Sequence, residues 1–410
     1  MSNMIIIGTG ASASIDPERY ATMFSFFSAV VAQAKSEKDK TQIVYLFTQL
    51  DRDRVFQIPD SACENLAVEY QTLIGLKDTD AHKVYTDKIR DEYLNLLKAR
   101  FDRTTENLEI VLSRCQETGK ENSFTKIGCM INWLLSPIAI NIQEKANRVF
   151  GRLFDKFIGC DKCAHIVSFN YDLLCDNSLL LWCRNHKIAV NDANLNQIIT
   201  RQDAFIGKID SEQILEYPLE VTDFADPAGI EPISVHAAEG LSRLYLIKPH
   251  GSLSFCKVFR DVHKQEVCLL IRNNYYGSVP LVLRPRIIDY DGSKRFLEIT
   301  PLIVAPAHNK IKSHPVLFEA ERNFLEGLAT ANKIVVVGWS IPDTDVDHYN
   351  AIRNRILNRN SQIEELVVFD LKQDKKDHDQ LFDRFEALFQ PKVLKRSWEG
   401  FSERSIDKHL

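Results

Sequence analysis

Lys333-Ile-Val-Val-Val-Gly-Trp-Ser340 and Glu364-Glu-Leu-Val-Val-Phe-Asp370 decide the fold. Each is a short, largely β-branched run that stops at small or polar residues. Each leads into a stretch with apolar residues three and four apart. A strand buried on both faces reads as one continuous apolar run, whereas an amphipathic helix shows the helical period. Extended in both directions, the pattern gives strand 299–305, helix 315–329, strand 333–337, helix 344–359, strand 364–369 and helix 376–389. This alternation predicts an α/β fold: a Rossmann-like, mainly parallel, doubly wound sheet.

The N-terminus offers a matching strand. Asn3-Met-Ile-Ile-Ile-Gly-Thr-Gly-Ala-Ser-Ala-Ser14 runs from an apolar strand straight into small residues, and a helical stretch follows Pro17 to about Ala34. The apolar run Ile43–Phe47 reads as the next strand. From 57 to 157 glycine and proline are rare and the apolar spacing is helical, which predicts three to five helices inserted into the α/β core. Sheet character returns at His165-Ile-Val-Ser-Phe169 and at Leu244-Tyr-Leu-Ile-Lys248. Residues 190–243 show no clear pattern. A pair of strands around Asn273-Asn274 and an irregular loop near Asp289–Ser293 are expected between 257 and 297. The organisation is therefore residues 1–50 as the first part of the α/β domain, 51–160 as a helical insertion and 161–400 as the remainder. Residues 4–7, 165–169, 244–248, 333–337 and 364–369 are expected in one sheet. Its carboxyl ends should bring Gly10, Asn170, His250 and Ser340 around one cleft.

Composition narrows the function classes. The 410 residues are 45% hydrophobic and 26% charged, which excludes a disordered or disulfide-stapled chain. A net charge of -5 gives no global drive toward nucleic acid or an anionic membrane, and neither partner is expected. The N-terminus enters an Ile-rich run with no cationic leader, so no signal peptide is expected. The apolar segment Ile127–Ile142 is short for a bilayer and contains Asn132, Pro137 and Asn141, so it reads as a buried helix. Nine scattered cysteines fit reduced thiols in a cytoplasm.

Four loops that follow strands carry unusual chemistry. In Gly8-Thr9-Gly10-Ala11-Ser12 the glycines permit close approach of a phosphate, with a helix N-terminus behind it. Position 13 is Ala, so the full Gly-x-Gly-x-x-Gly fingerprint is missing, and a plain tight turn is the alternative. In Asn170-Tyr171-Asp172 two polar side chains at a strand end suit ribose hydroxyls and a carboxamide, or Asp172 is simply a helix cap. His250, between Pro249 and Gly251, has the near-neutral basicity that suits proton transfer, although a lone His is often structural. Gly338-Trp339-Ser340 again pairs close backbone approach with a hydroxyl. Asp343, Asp345 and Asp347 follow it, but their spacing lacks the glycine and terminal Glu of a calcium loop. Cys160 and Cys163 form half a zinc or redox motif, and Cys175 and Cys183, the other candidates, read as core residues. No metal is expected.

Taken in order, these loops resemble the Sir2 family, more closely its prokaryotic SIR2-like branch of NAD-consuming antiphage defence proteins than the protein deacylases. Gly8–Ser12 resembles the family's first nucleotide loop, Asn170-Tyr171-Asp172 its Asn-x-Asp segment, His250-Gly251 its catalytic His-Gly and Gly338-Trp339-Ser340 its late Gly-x-Ser. Pro301–Pro306 with Lys310 resembles a stretch of the SIR2-like branch. The likeness covers about residues 1–50 and 160–390. Two departures separate the chain from the deacylases. Ser14-Ile-Asp-Pro-Glu-Arg-Tyr20 replaces their Gly-Ile-Pro-Asp-Phe-Arg segment, and only Cys256 and Cys268 lie where their four-cysteine zinc module would be.

The resemblance implies hydrolysis of NAD⁺, as substrate, to nicotinamide and ADP-ribose, with water as acceptor. It makes Asn170 the holder of a ribose hydroxyl or the water, and His250 the base. Asp172 would bind the carboxamide, and Gly8, Thr9, Gly10, Ala11 and Ser12 would receive the pyrophosphate. Gly338, Ser340 and Asp370 would take the adenosine side. It further implies gating by assembly, as a homo-oligomer or with a partner such as a HerA-like ATPase or a short Argonaute. The competing readings are an NAD-dependent deacylase and a catalytically silent nucleotide-binding scaffold.

Overall fold

Met4 and Ile6 point to one face of the central sheet and Ile5 and Ile7 to the other, and all four are fully buried. That two-sided burial is the alternation of a strand covered by helices on both faces. The structure, a computed structural model, describes residues 2–410 apart from 18–19, 21–24, 57–59, 75–79, 104–105, 136–139, 159–162, 187–189, 193–196, 200–243, 261–264, 271–285, 291–292, 304–314, 342–345, 371–374 and 398.

The first strand, β1 (Ser2–Ile7), is followed by α1 (Thr9–Ile15), α2 (Phe26–Gln33), α3 (Glu37–Arg52), α4 (Ser61–Ile74), α5 (Asp80–Arg103), α6 (Leu108–Glu117), α7 (Glu121–Leu135) and α8 (Ile140–Phe157). The chain then forms β2 (Cys163–Ser168), α9 (Leu174–His186), β3 (Val190–Asp192), β4 (Gln197–Ile199) and β5 (Leu244–Ile247). Four further strands are β6 (Gly251–Arg260), β7 (Gln265–Leu270), β8 (Arg286–Tyr290) and β9 (Ser293–Ile303). The C-terminal part is α10 (Pro315–Thr330), β10 (Ala331–Val337), α11 (Val346–Leu357), β11 (Glu365–Phe369), α12 (Lys375–Phe389), β12 (Val393–Ser397) and α13 (Glu403–His409).

The main sheet has the order β12-β11-β10-β1-β2-β5-β3-β4, parallel throughout except for the antiparallel pair β3–β4. The Rossmann-like, doubly wound expectation is met. On one face α8 and α9 pack Phe150, Leu153, Phe154 and Leu179 against Ile5, Ile7 and Ile166. On the other, α10, α11 and α12 pack Phe324, Ile352 and Phe385 against Met4, Ile6 and Val336.

A separate helical core joins α2 through α7, with Phe27, Phe47, Phe56 and Phe101 in mutual ring contact. Inside it the Asp51 carboxylate accepts from Tyr93 Oη at 2.5 Å and from Arg100 Nη1 at 2.7 Å, and all three residues are buried. Every element described between 57 and 157 is a helix, and the expected single helix Ile127–Ile142 is divided between α7, which ends at Leu135, and α8, which begins at Ile140. Among the described residues no helix is long and apolar enough to cross a membrane.

Several expectations need correction. Ile43–Phe47 is not a strand but the middle of α3, where Ile43, Val44, Leu46, Phe47 and Leu50 form one buried face. Ser36 caps that helix by accepting from Asp39 N at 3.1 Å, with Glu37 and Asp39 in the first turn. Of the expected strand 299–305, residues 299–303 form the end of β9 and belong not to the parallel sheet but to an antiparallel one of order β7-β6-β9-β8, while 304 and 305 lie outside the described residues. Near 289–293, instead of an irregular loop, the pairing of β8 with β9 continues to Tyr290↔Ser293. Asp291 and Gly292, between them, lie outside the described residues. The β6–β7 pair closes at Arg260↔Gln265, while Asn273 and Asn274 lie outside the described residues, as do Cys160, Asp343 and Asp345.

Candidate functional site

In a doubly wound sheet the strand order reverses at one point, and the loops there diverge to leave a crevice. Here that point is β1, flanked by β2 and β10. The two glycine loops meet across it. Gly8 N donates to Val337 O, Gly10 N to Gly338 O and Gly338 N to Phe369 O, each at 2.9 Å. A methyl group on Gly10 would lie 2.8 Å from Gly338 Cα, and one on Gly338 only 2.2 Å from Ala11 N. Gly338 also has φ +59°, and Ile341 beyond it is held at φ +52° with its side chain buried. A β-branched residue at positive φ is strained, and packing keeps it there. These glycines are therefore required by the contact of one loop backbone with the other.

The second loop is wired to the first. Asn170 Nδ2 donates to Gly8 O and to Ser12 Oγ, both at 3.0 Å. Ser12 Oγ donates in turn to Asp172 Oδ2 at 2.8 Å, and Leu174 N donates to Asp172 Oδ1 at 3.0 Å. Asn170, Ser12 and Asp172 are all buried. Burial raises the Asp172 carboxyl above its ordinary range, opposed by the nearby Lys248 ammonium and the Ser12 hydroxyl. Lys248, itself buried at the end of β5, donates to Asp176 Oδ2 at 2.9 Å and to Asp172 O at 3.2 Å. Asn170 Oδ1 is buried and, among the described residues, has no hydrogen-bond partner.

His250 follows β5 at the same end of the sheet. Its ring meets the edge of Phe169 with centroids 4.9 Å apart, and Phe169 stacks on Trp339 at 4.9 Å and 11°. One aromatic column thus links the β2, β5 and β10 loops. Beside it, His250 Nε2 lies 3.1 Å from His348 Nε2, and His348 Nδ1 lies 3.4 Å from Glu321 Oε1.

The structure brings Gly8, Gly10, Ser12, Asn170, Asp172 and Gly338 into direct contact, with His250 attached through Phe169. Ala11 is buried and Thr9 half-buried in α1, Ser340 is exposed, and Asp370 is buried at the end of β11, two strands from β1. Lys248, His348, Glu321 and Trp339 are the residues that sequence reasoning did not single out. Lys248 had a signal, a lysine inside a strand end two residues before His250, but His348 and Glu321 sit in ordinary amphipathic helices. Cys175 and Cys183 are buried free thiols in α9. Among the described residues no group of three His, Cys, Asp or Glu side chains is placed to hold a metal ion. No protein-family model matches the sequence, and no curated protein matches it.

Proposed function

We propose that the chain hydrolyses the nicotinamide N-glycosidic bond of NAD⁺. The observation that carries this reading is the Asn170 amide at the switch-point crevice. Its Nδ2 is tied to the first loop while Oδ1, buried, has no partner among the described residues. Such an oxygen suits a ribose hydroxyl or a water, since a buried acceptor left unpaired is costly. His250, packed against the residue preceding Asn170, supplies the imidazole that takes a proton from that hydroxyl or water.

The arrangement modifies two of the expected roles. Both carboxylate oxygens of Asp172 already accept hydrogen bonds, so in this reading Asp172 holds Ser12 and Asn170 in place rather than gripping the carboxamide. The amides of Gly10 and Ala11 donate to Gly338 O and Gly8 O, so the weight of recognition shifts from the pyrophosphate toward the ribose. Gly338, Ser340 and Asp370 remain assigned to the adenosine side. Nicotinamide leaves neutral from a cationic ring, so the chain's task is orientation, electrostatic support and admission of one water. In this proposal the activity is gated by self-assembly or by a partner such as a HerA-like ATPase or a short Argonaute, in antiphage defence.

The test is NAD⁺ turnover by the purified protein, alone and beside the product of any adjacent gene, with products identified. ADP-ribose and nicotinamide should form at the same rate with or without an acetyl-lysine peptide. Asn170→Ala and His250→Ala should each lower turnover by about a hundredfold or more while the circular dichroism spectrum is retained. Comparable turnover by either variant sinks the mechanism. A peptide requirement with O-acetyl-ADP-ribose as product makes the chain a deacylase.

A further inference from the structure

Two imidazole nitrogens facing each other at 3.1 Å, as His250 Nε2 and His348 Nε2 do, must share one proton, because two lone pairs or two N–H groups would repel. Which ring donates is decided on the far side of His348. There Glu321 Oε1 lies 3.4 Å from Nδ1; the two are not hydrogen-bonded, and it is the carboxylate's charge at that distance that favours a proton on that nitrogen. A neutral His348 protonated on Nδ1 has its lone pair on Nε2, so His250 donates from Nε2 and keeps its own lone pair on Nδ1.

We propose that Glu321 and His348 are positioning residues that fix the His250 tautomer and support the positive charge it acquires. This rests on the reading of His250 as the base. In the step itself the O–H bond of the ribose hydroxyl or water breaks, its electron pair stays on oxygen, and a new N–H bond forms at His250 Nδ1. The resulting imidazolium presents its Nε2–H to His348, and the Glu321 carboxylate opposes the charge through the second ring. No other proton has to leave, which parallels the orienting role of the carboxylate in a hydrolase triad.

The surroundings suit a fixed relay. His348 is 1% exposed and His250 6%, so water competes poorly for the shared proton. Phe169 meets both rings edge-on, at 4.9 Å for His250 and 5.4 Å for His348, which holds their planes. The three groups come from α10, the loop after β5, and α11, so only the fold assembles them. Glu321 and His250 meet opposite nitrogens of the His348 ring, which cannot bring all three onto one metal ion.

Histidine-selective ¹⁵N labelling with long-range ¹H–¹⁵N correlation reads the tautomers directly. The wild-type chain should show His250 protonated on Nε2, and Glu321→Gln should move it toward the Nδ1–H form. In turnover, His348→Phe keeps the ring volume but offers no acceptor, and should lower kcat about ten- to a hundredfold with KM changed less than about twofold. His348→Gln, which retains an acceptor oxygen, should recover most of that loss. Should His348→Phe fail to fold, Glu321→Gln and His348→Gln carry the test. A wild-type His250 protonated on Nδ1, a tautomer unmoved by Glu321→Gln, or wild-type kcat in His348→Phe overturns the relay. The expected tautomer and shift in a chain that never cleaves NAD⁺ would instead keep the relay and remove the hydrolase reading.

Discussion

Ser12 Oγ accepts from Asn170 and donates to Asp172, so one hydroxyl sets the orientation of two side chains. Ser12→Ala leaves a buried carboxylate short of a donor, and should lower stability by about 1–3 kcal/mol in urea denaturation. Gly338→Ala should cost at least about 2 kcal/mol by the same measurement, since it adds a left-handed penalty to a clash with Ala11 N that neither backbone can relieve. An unchanged midpoint for Gly338→Ala would mean that the two loops are not packed as described. At this scale the glycines were legible from sequence as positions where a side chain is forbidden. What forbids it was not: the expected neighbour was a phosphate, and the observed one is another loop. His348 and Glu321 left no local trace, because their significance depends on helices α10 and α11 meeting at the β5 loop.

Strands were legible where both faces are buried. β1, β10 and β11 carry unbroken apolar runs because helices cover both sides of them. Ile43–Phe47 has the same local appearance inside α3, since a five-residue apolar run does not distinguish a strand from a helix face. The pairing of β9 with β6 and β8 was invisible for another reason, as sequence shows a strand's character but not its neighbour. Within β2, His165 makes a separate prediction. Its ring stacks on Tyr245 with centroids 5.0 Å apart, and burial lowers its pKa from 6.5 to about 4. Between those values the unfolded chain binds the proton and the folded chain does not, so stability is lost as pH falls from 6.5 toward 4. The loss is up to roughly 3 kcal/mol, less whatever solvent reaches the half-buried ring. Asp172 bends the curve the other way: its raised pKa favours the folded state at low pH, a contribution lost as pH rises through the raised value. Denaturation of His165→Phe across this range should show a flatter acid limb than the wild type. An acid limb identical in both proteins would assign the pH dependence elsewhere.

The whole molecule is joined at the loop that carries the candidate site. Asn170 and Asp172 turn to the Ser12 network, while Tyr171 and Leu173, the residues alternating with them, are buried in the helical core with Phe27, Tyr93 and Leu134. Sequence showed a helical region but not this grip, because Tyr171 reads as part of a polar motif until the core around it is seen. Burial drives the Tyr171 hydroxyl pKa far upward, as expected for a phenol held away from water. Loosening the helical core at this point should therefore loosen the two polar residues on either side. Tyr171→Ala should cost about 3 kcal/mol or more, from lost burial and the cavity left behind. If the proposed reaction holds, it should also depress NAD⁺ turnover at a temperature where the variant is still folded. Tyr70→Ala is the matched control. It removes a buried tyrosine of the same core from α4 rather than from the site loop, and should lose comparable stability while keeping its turnover. Equal activity in both variants would show that the helical core supports the fold without controlling the site. A loss confined to Tyr171→Ala would make that core the element through which an assembly contact can reach Asn170.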